Sequence, residues 1–138
     1  MAEQSPFTVE LPGTREEVIE RVQEALKAEG FGVLTRIDID DAFREKLGNP
    51  FRPYTILGAC NPSLAHRALS EAPDIGLFLP CNVTVDEAEQ GRTTVRIVDP
   101  RDMLGAGLGA GAPAVIEEVA DEARERLASV ARSLGASS

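Results

Sequence analysis

Apolar and polar positions first alternate over Phe7-Thr-Val-Glu-Leu11, which predicts a short strand closed by the Pro12-Gly13 turn. Thr14-Arg-Glu-Glu17 has the form of a capping box, in which the threonine hydroxyl accepts from the Glu17 N–H while the Glu17 carboxylate reaches back. Val18, Val22, Ala25 and Leu26 follow at helical spacing, and Gly30 supplies the left-handed residue that ends such a helix. Val33, Thr35, Ile37 and Ile39 then alternate with Leu34, Arg36 and Asp38, the pattern of a half-buried strand. Asp40 or Asp41 is placed to cap a short helix that carries Phe43 and Leu47 and stops at Gly48.

After the Asn49-Pro50 break, Tyr54–Cys60 reads as a third strand. Asn61-Pro62 combines an N-cap with a proline at the first helical position, where the missing N–H costs nothing. The helix carries Leu64, Ala65, Ala68 and Leu69 and must end before Pro73. Gly76 to Val85 reads as a fourth strand in which Pro80 marks an edge or a bulge, and residues 86–91 as a polar turn. Arg92 to Val98 returns as a fifth strand, close enough to pair with the fourth as an antiparallel hairpin. The last helix spans Pro113 to Leu134, with acids crowding its start and arginines towards its end, as the helix dipole favours. The order β-α-β-α-β-α-β-β-α places the chain in the α+β class, one mainly antiparallel sheet with helices packed on one face. Residues 1–138 read as a single domain with a glycine-rich loop at 105–112 and a tail at 135–138.

Length agrees, since 138 residues and 14.7 kDa are the usual size of one domain with its own core. The formal net charge of −9 changes the list of partners. Such a surface repels phosphate backbones and anionic lipid, and no basic patch offsets it, so neither nucleic acid nor membrane is expected. Met1 to Glu10 lacks the basic and apolar regions of a signal peptide, and no stretch reaches the roughly 18 apolar residues of a spanning helix. Two cysteines do not make a disulfide scaffold, and the expected location is the cytoplasm.

Gly107-Leu-Gly-Ala-Gly-Ala112 satisfies the relaxed dinucleotide pattern G-x-G-x-x-A, but no strand leads directly into it and no acid-bearing strand follows. Nucleotide binding is therefore excluded. Cys60-Asn61-Pro62 and Cys81-Asn82, with His66 between them, form the second constellation. Cys60 precedes a helix N-terminus, where unpaired amides and the helix dipole stabilise a thiolate as nucleophile or soft-metal ligand. Cys81 is the resolving thiol or second ligand, and His66 a base or third ligand, so that Cys60, His66 and Cys81 supply three positions of a tetrahedral site for zinc or another soft metal. Asn61 and Asn82, beside the two cysteines, are the ligand-binding candidates. Against this stands a reading in which both cysteines are packing, because free cysteine is among the most buried residue types. Asp38, Asp40 and Asp41 suit a strand end and an N-cap, Asp74 and Asp99 suit turns, and hydrolase chemistry has no nucleophile elbow to rest on.

Gly58-Ala-Cys-Asn-Pro62, His66-Arg-Ala-Leu69 and Leu79-Pro-Cys-Asn-Val83, together with Gly30-Phe-Gly-Val33 and Val98-Asp-Pro100, resemble the domain of unknown function family 302 over nearly the whole chain. The resemblance implies an α+β fold similar to TATA-box-binding-protein-like domains, a curved sheet, and homodimers. It implies no settled activity. Cys60, His66 and Cys81 match its motif-rich segment, where the ligand would be a soft metal, a persulfide sulfur, or a small molecule in a groove beside the sheet. Two functions follow as expectations: a thiol-based redox, sulfur or soft-metal-binding protein, or a non-catalytic dimeric domain for a small ligand or an interaction. For the dimer, the expected surface is the sheet near Pro80, with Phe78 and the apolar residues of strand 92–98 between two copies.

Overall fold

In the computed structural model of the protein, which describes residues 7–108 and 112–135, the capping box forms as its residues require. The Glu17 N–H donates to Thr14 Oγ1 at 3.3 Å and the Thr14 N–H to Glu17 Oε1 at 2.9 Å. Helix α1 (Arg15–Ala28) thus starts with Val18, Ile19, Val22 and Leu26 on one side, all buried. A second long helix, α5 (Ala114–Leu134), lies beside it and buries Leu127, Val130, Ala131 and Leu134 in the same core. Both pack on one face of a five-stranded sheet built from β1 (Thr8–Pro12), β2 (Gly32–Asp38), β3 (Tyr54–Cys60), β4 (Cys81–Glu89) and β5 (Arg92–Ile97). The spatial order is β1-β5-β4-β3-β2, with every neighbouring pair antiparallel. Side chains alternate across a strand, so Val9, Leu57, Ala59, Val83, Val85, Val95 and Ile97 face the helices. The α+β class and its single antiparallel sheet are as the sequence predicts.

A smaller apolar cluster sits beside the main one. Leu64 and Ala68 of α3 (Pro62–Glu71), Ile75 of a 3-10 turn (Pro73–Phe78), and Ile116, Val119 and Ala123 of α5 form it. Helix α5 therefore serves two cores: its first half packs on α3 and its second half on the sheet.

Several boundaries differ from expectation. The segment from Gly76 is not strand: residues 73–78 form the 3-10 turn, and β4 starts at Cys81, just past Pro80. It continues to Glu89, so the predicted turn at 86–91 shrinks to Gln90-Gly91. Asp86 and Glu87 read as turn residues in isolation, yet both are buried because distant groups satisfy them. Asp86 accepts from Arg52 and Arg96, and Glu87 from the Arg15 and Gly91 amides. Asp38 occupies the N-cap position of α2 (Ile39–Leu47) without a side-chain cap bond, and Asp40 is no cap either: it accepts from Arg15 Nη1 at 2.7 Å and from the Tyr54 N–H at 3.2 Å. Leu47 is exposed, and β2 is an edge strand whose Leu34 and Ile37 face outwards. Residues 105–108, expected in a loop, belong to α4 (Pro100–Leu108); residues 109–111 of that run and 136–138 of the tail lie outside the described residues. The apolar residues of β5 are not available to a second copy, because Val95 and Ile97 are buried beneath the helices and the other face of β5 presents Arg92, Thr94 and Arg96. Phe78 is only half-buried.

Candidate functional site

Asn61 ends the β3-to-α3 connection. Its Oδ1 accepts from the Leu64 N–H at 3.2 Å, its carbonyl from the Ala65 N–H at 2.9 Å, and its Nδ2 donates to the Glu29 carbonyl at 3.5 Å. This fixes the chemistry of its neighbour. Cys60, the last residue of β3, stands before a helix whose first residue, Pro62, has no N–H and whose third donates to Asn61. The helix end therefore has little left to offer a thiolate, and burial pushes the Cys60 thiol above its ordinary value instead of below it. Cys81, at the start of β4 and in register with Ala59, is buried against the main core. Burial, with a smaller electrostatic contribution from Cys60, pushes its pKa up to about 11. Both cysteines are free, and they are not near each other.

The remaining predicted ligands diverge. His66 is exposed on α3, two residues from both buried positions Leu64 and Ala68, which places it on the outward side of the helix. Among the described residues no group of three or more His, Cys, Asp or Glu side chains is placed to hold a metal ion, so Cys60, His66 and Cys81 do not converge as expected. Asn82 pairs with Gly58, and its side chain is exposed on the sheet face away from Cys81 and Val83. Its carbonyl accepts from the Val98 N–H at 3.1 Å.

What Cys60, Asn61 and Cys81 do share is a cleft at the seam between the two cores. Ala59 and Cys60 of β3, Leu64, Ala65 and Ala68 of α3, and Val119, Ala120 and Ala123 of α5 line it. Phe31, Ile75, Leu79, Cys81, Pro100, Met103 and Leu104 also line it, and among the described residues Asn61 is the one amide side chain and no charged group is present. As an internal cavity it measures about 50 Å³; with its mouth and crevices counted, the atom-free space is about 490 Å³. The gap exists because five of the converging positions are alanine, contributed by three elements. Sequence reasoning found the two cysteines and Asn61 but missed the cleft. Alanines at helical spacing look like any packed helix face, and only the tertiary fold brings Ala59, Ala68 and Ala123 together.

A second cluster lies on the face of the sheet away from α1 and α5. Asp86 is 1% exposed there, held by Arg52 Nε at 2.7 Å and Arg96 Nη1 at 3.0 Å. Burial raises its pKa, but the hydrogen bonds from Arg52 and Arg96 outweigh burial and hold it below the ordinary aspartate value. The arginines spend their charge on this carboxylate, which makes the cluster a structural clamp.

Comparison with known proteins gives one family. The model of the family "Domain of unknown function DUF302" matches residues 7–134. The crystal structure of an uncharacterized conserved protein DUF302 from Bacillus stearothermophilus is similar: 33% identical, with a TM-score of 0.77, the match covering 94% of this chain and 99% of that one. No curated protein matches the chain. Among the described residues, no helix is long and apolar enough to cross a membrane.

Proposed function

The chain belongs to the DUF302 family, and from that premise we propose that it is a ligand-binding domain whose site is the apolar cleft between β3, α3, α4 and α5. The observation that carries this reading is the composition of the wall among the described residues: side chains of carbon and sulfur, one amide and no charge. Pockets for small molecules are mostly apolar with few polar groups that orient the ligand. A charged ligand would lose its hydration here without a compensating partner, so the ligand class is small, uncharged and apolar. The enclosed space of about 50 Å³ admits a compact molecule only if wall side chains turn aside. Met103 in α4 is suited to that, since an unbranched thioether side chain repacks easily. Cys60 and Cys81 enter this function as lining. With both thiols raised by burial, they favour the packing role over a thiolate redox pair.

Toluene is a suitable probe, followed by amide NMR shifts. Saturable shifts confined to residues around Ala68, Ala120 and Ala123 are expected. They should be lost in Ala123→Leu, where the added side chain occupies the gap, and retained in Met103→Ala, which widens it. Absence of saturable shifts in the parent protein, or shifts unchanged in a folded Ala123→Leu, overturns the proposal.

A further inference from the structure

The walls of the cleft are unequally attached. β3, α3 and α5 each place fully buried residues in one of the two clusters, whereas α4, among the described residues, adds to them only Leu104, partly buried against the smaller one. Of the residues lining the cleft, Cys60, Ala65, Leu79, Met103 and Leu104 keep some exposure, and two of the three large ones belong to α4. The mouth therefore runs along that helix. On its exposed side α4 is held down by charge. Arg101 Nη1 lies 3.1 Å from Asp121 Oδ1 and 3.5 Å from Glu117 Oε1, both on α5. Just before the helix, Asp99 Oδ1 accepts from the Arg101 N–H at 3.0 Å and Oδ2 from Arg124 Nε at 3.0 Å, which anchors its base. We propose that the Arg101 ion pairs are a clip that keeps α4 over the mouth, and that a small apolar ligand passes into and out of the cleft when the clip opens while the Asp99–Arg124 anchor stays made.

Exposure decides which of the two contacts gives way. The Arg101, Glu117 and Asp121 side chains are 44%, 58% and 66% exposed, so the guanidinium and both carboxylates are rehydrated as soon as they part. The Asp99 side chain is 16% exposed and has two donors, which makes it the firmer end. Beyond Arg101 the helix carries Met103 and Leu104 over the cleft, and lifting them uncovers side chains of carbon and sulfur with no polar atom to strand. An uncharged ligand takes no part in these electrostatics, so a salt dependence of its passage reports on the protein. The clip is closed over an empty cleft and over an occupied one alike. Weakening it therefore speeds entry and exit together and leaves the affinity unchanged. The inference rests on the cleft being a ligand site, and the test separates the two claims.

Toluene exchange with the full chain, followed by amide NMR line shapes, gives the exit rate and Kd together. In Arg101→Gln the exit rate is expected to rise about two- to fivefold, the range for losing an exposed ion pair, with Kd unchanged. In the parent protein it should rise by less between about 0.02 and about 0.5 M salt, as screening shortens to a few ångströms, and Arg101→Gln should lose most of that dependence. Arg67→Gln is the control. It removes comparably exposed pairs, to Glu118 at 3.3 Å and Glu122 at 3.5 Å, that join α3 to α5 beside the same cleft, and it should leave the rate where it was. An exit rate that Arg101→Gln leaves unchanged, one that Arg67→Gln raises as much, or a shift in Kd in place of a shift in rate overturns the clip and leaves the ligand site standing. A parent protein without saturable toluene shifts overturns both.

Discussion

Replacing Asp86 by asparagine should destabilise the protein by about 2 kcal/mol, and the geometry says where that figure comes from. Asp86 Oδ1 accepts from Arg52 Nε at 2.7 Å, while Oδ2 accepts from Arg52 Nη2 at 3.3 Å and Arg96 Nη1 at 3.0 Å. An asparagine must turn its amide towards one side or the other. It then opposes a donor to either Arg52 Nε or the pair at Oδ2. Hydrogen bonds to a charged group contribute about 1.5–3 kcal/mol each, and stripping one partner from a wholly buried pair costs about 3–5 kcal/mol. Arg52 and Arg96, however, have side chains 44% and 50% exposed and can return to water, which pulls the cost to the lower end. For a chain of this length that corresponds to a fall in Tm of roughly 6–10 °C. The pH dependence carries the sign. Asp86 has a folded pKa below its unfolded one, so its contribution is complete above the unfolded value of about 3.9 and is lost as pH falls through the folded value. Urea titrations of both proteins at several pH values should show curves well separated near neutrality that converge as the solution is acidified below about pH 4. A D86N protein within about 0.5 kcal/mol of the parent at neutral pH, or a gap that stays constant on acidification, refutes the argument.

Two further substitutions test the frame around the cleft. Gly58 has no room for a side chain, since a Cβ there would lie 2.6 Å from Pro80 Cγ and closer still to Thr35 Oγ1; Gly58→Ala should cost about 1–3 kcal/mol in a thermal melt, and a neutral result would show that Thr35 and Pro80 give way freely. Asn61→Ala removes the α3 cap and should cost about 1 kcal/mol, while toluene binding persists in the folded variant; loss of binding in a fully folded N61A protein would instead make Asn61 a ligand contact.

Local signals were legible in the sequence wherever the partners are neighbours along the chain. The Thr14–Glu17 box and the Asn61-Pro62 start each complete their bonds within a few residues, and both formed as expected. The strand containing Asp86 and Glu87 was misplaced for the opposite reason. Two acids beside Ala88 and Gly91 carry the composition of a turn, and their partners on other elements, Arg52, Arg96 and the Arg15 amide, are what let them sit buried in a strand. Asp40 failed as a cap in the same way, since its partners are Arg15 and the Tyr54 amide. At the candidate site, the cysteines were identifiable but their ionisation was not. The helix-end argument for a Cys60 thiolate assumes free amides, and in the fold proline and the Asn61 side chain have removed most of them.

The division of α5 between two cores gives the cleft its mechanical character. From Leu127 onwards the helix is bound into a large cluster with α1 and the sheet, the part of the molecule where opening approaches the cost of global unfolding. Before that point, among the described residues, Ile116, Val119 and Ala123 share a buried cluster with Leu64, Ala68 and Ile75, a much smaller apolar contact. The cleft lies between these two unequal parts, with Leu104 and Leu79 among the half-buried residues that edge the smaller one. On the proposed reading, room for a ligand comes from side chains of the smaller cluster and of α4, Met103 among them, because the larger cluster is the costlier part to open. A binding site placed inside the main core would have to break that core to admit anything. At the seam, the sheet fixes Ala59 on one side, the smaller cluster forms the other, and the five alanines leave the space between them.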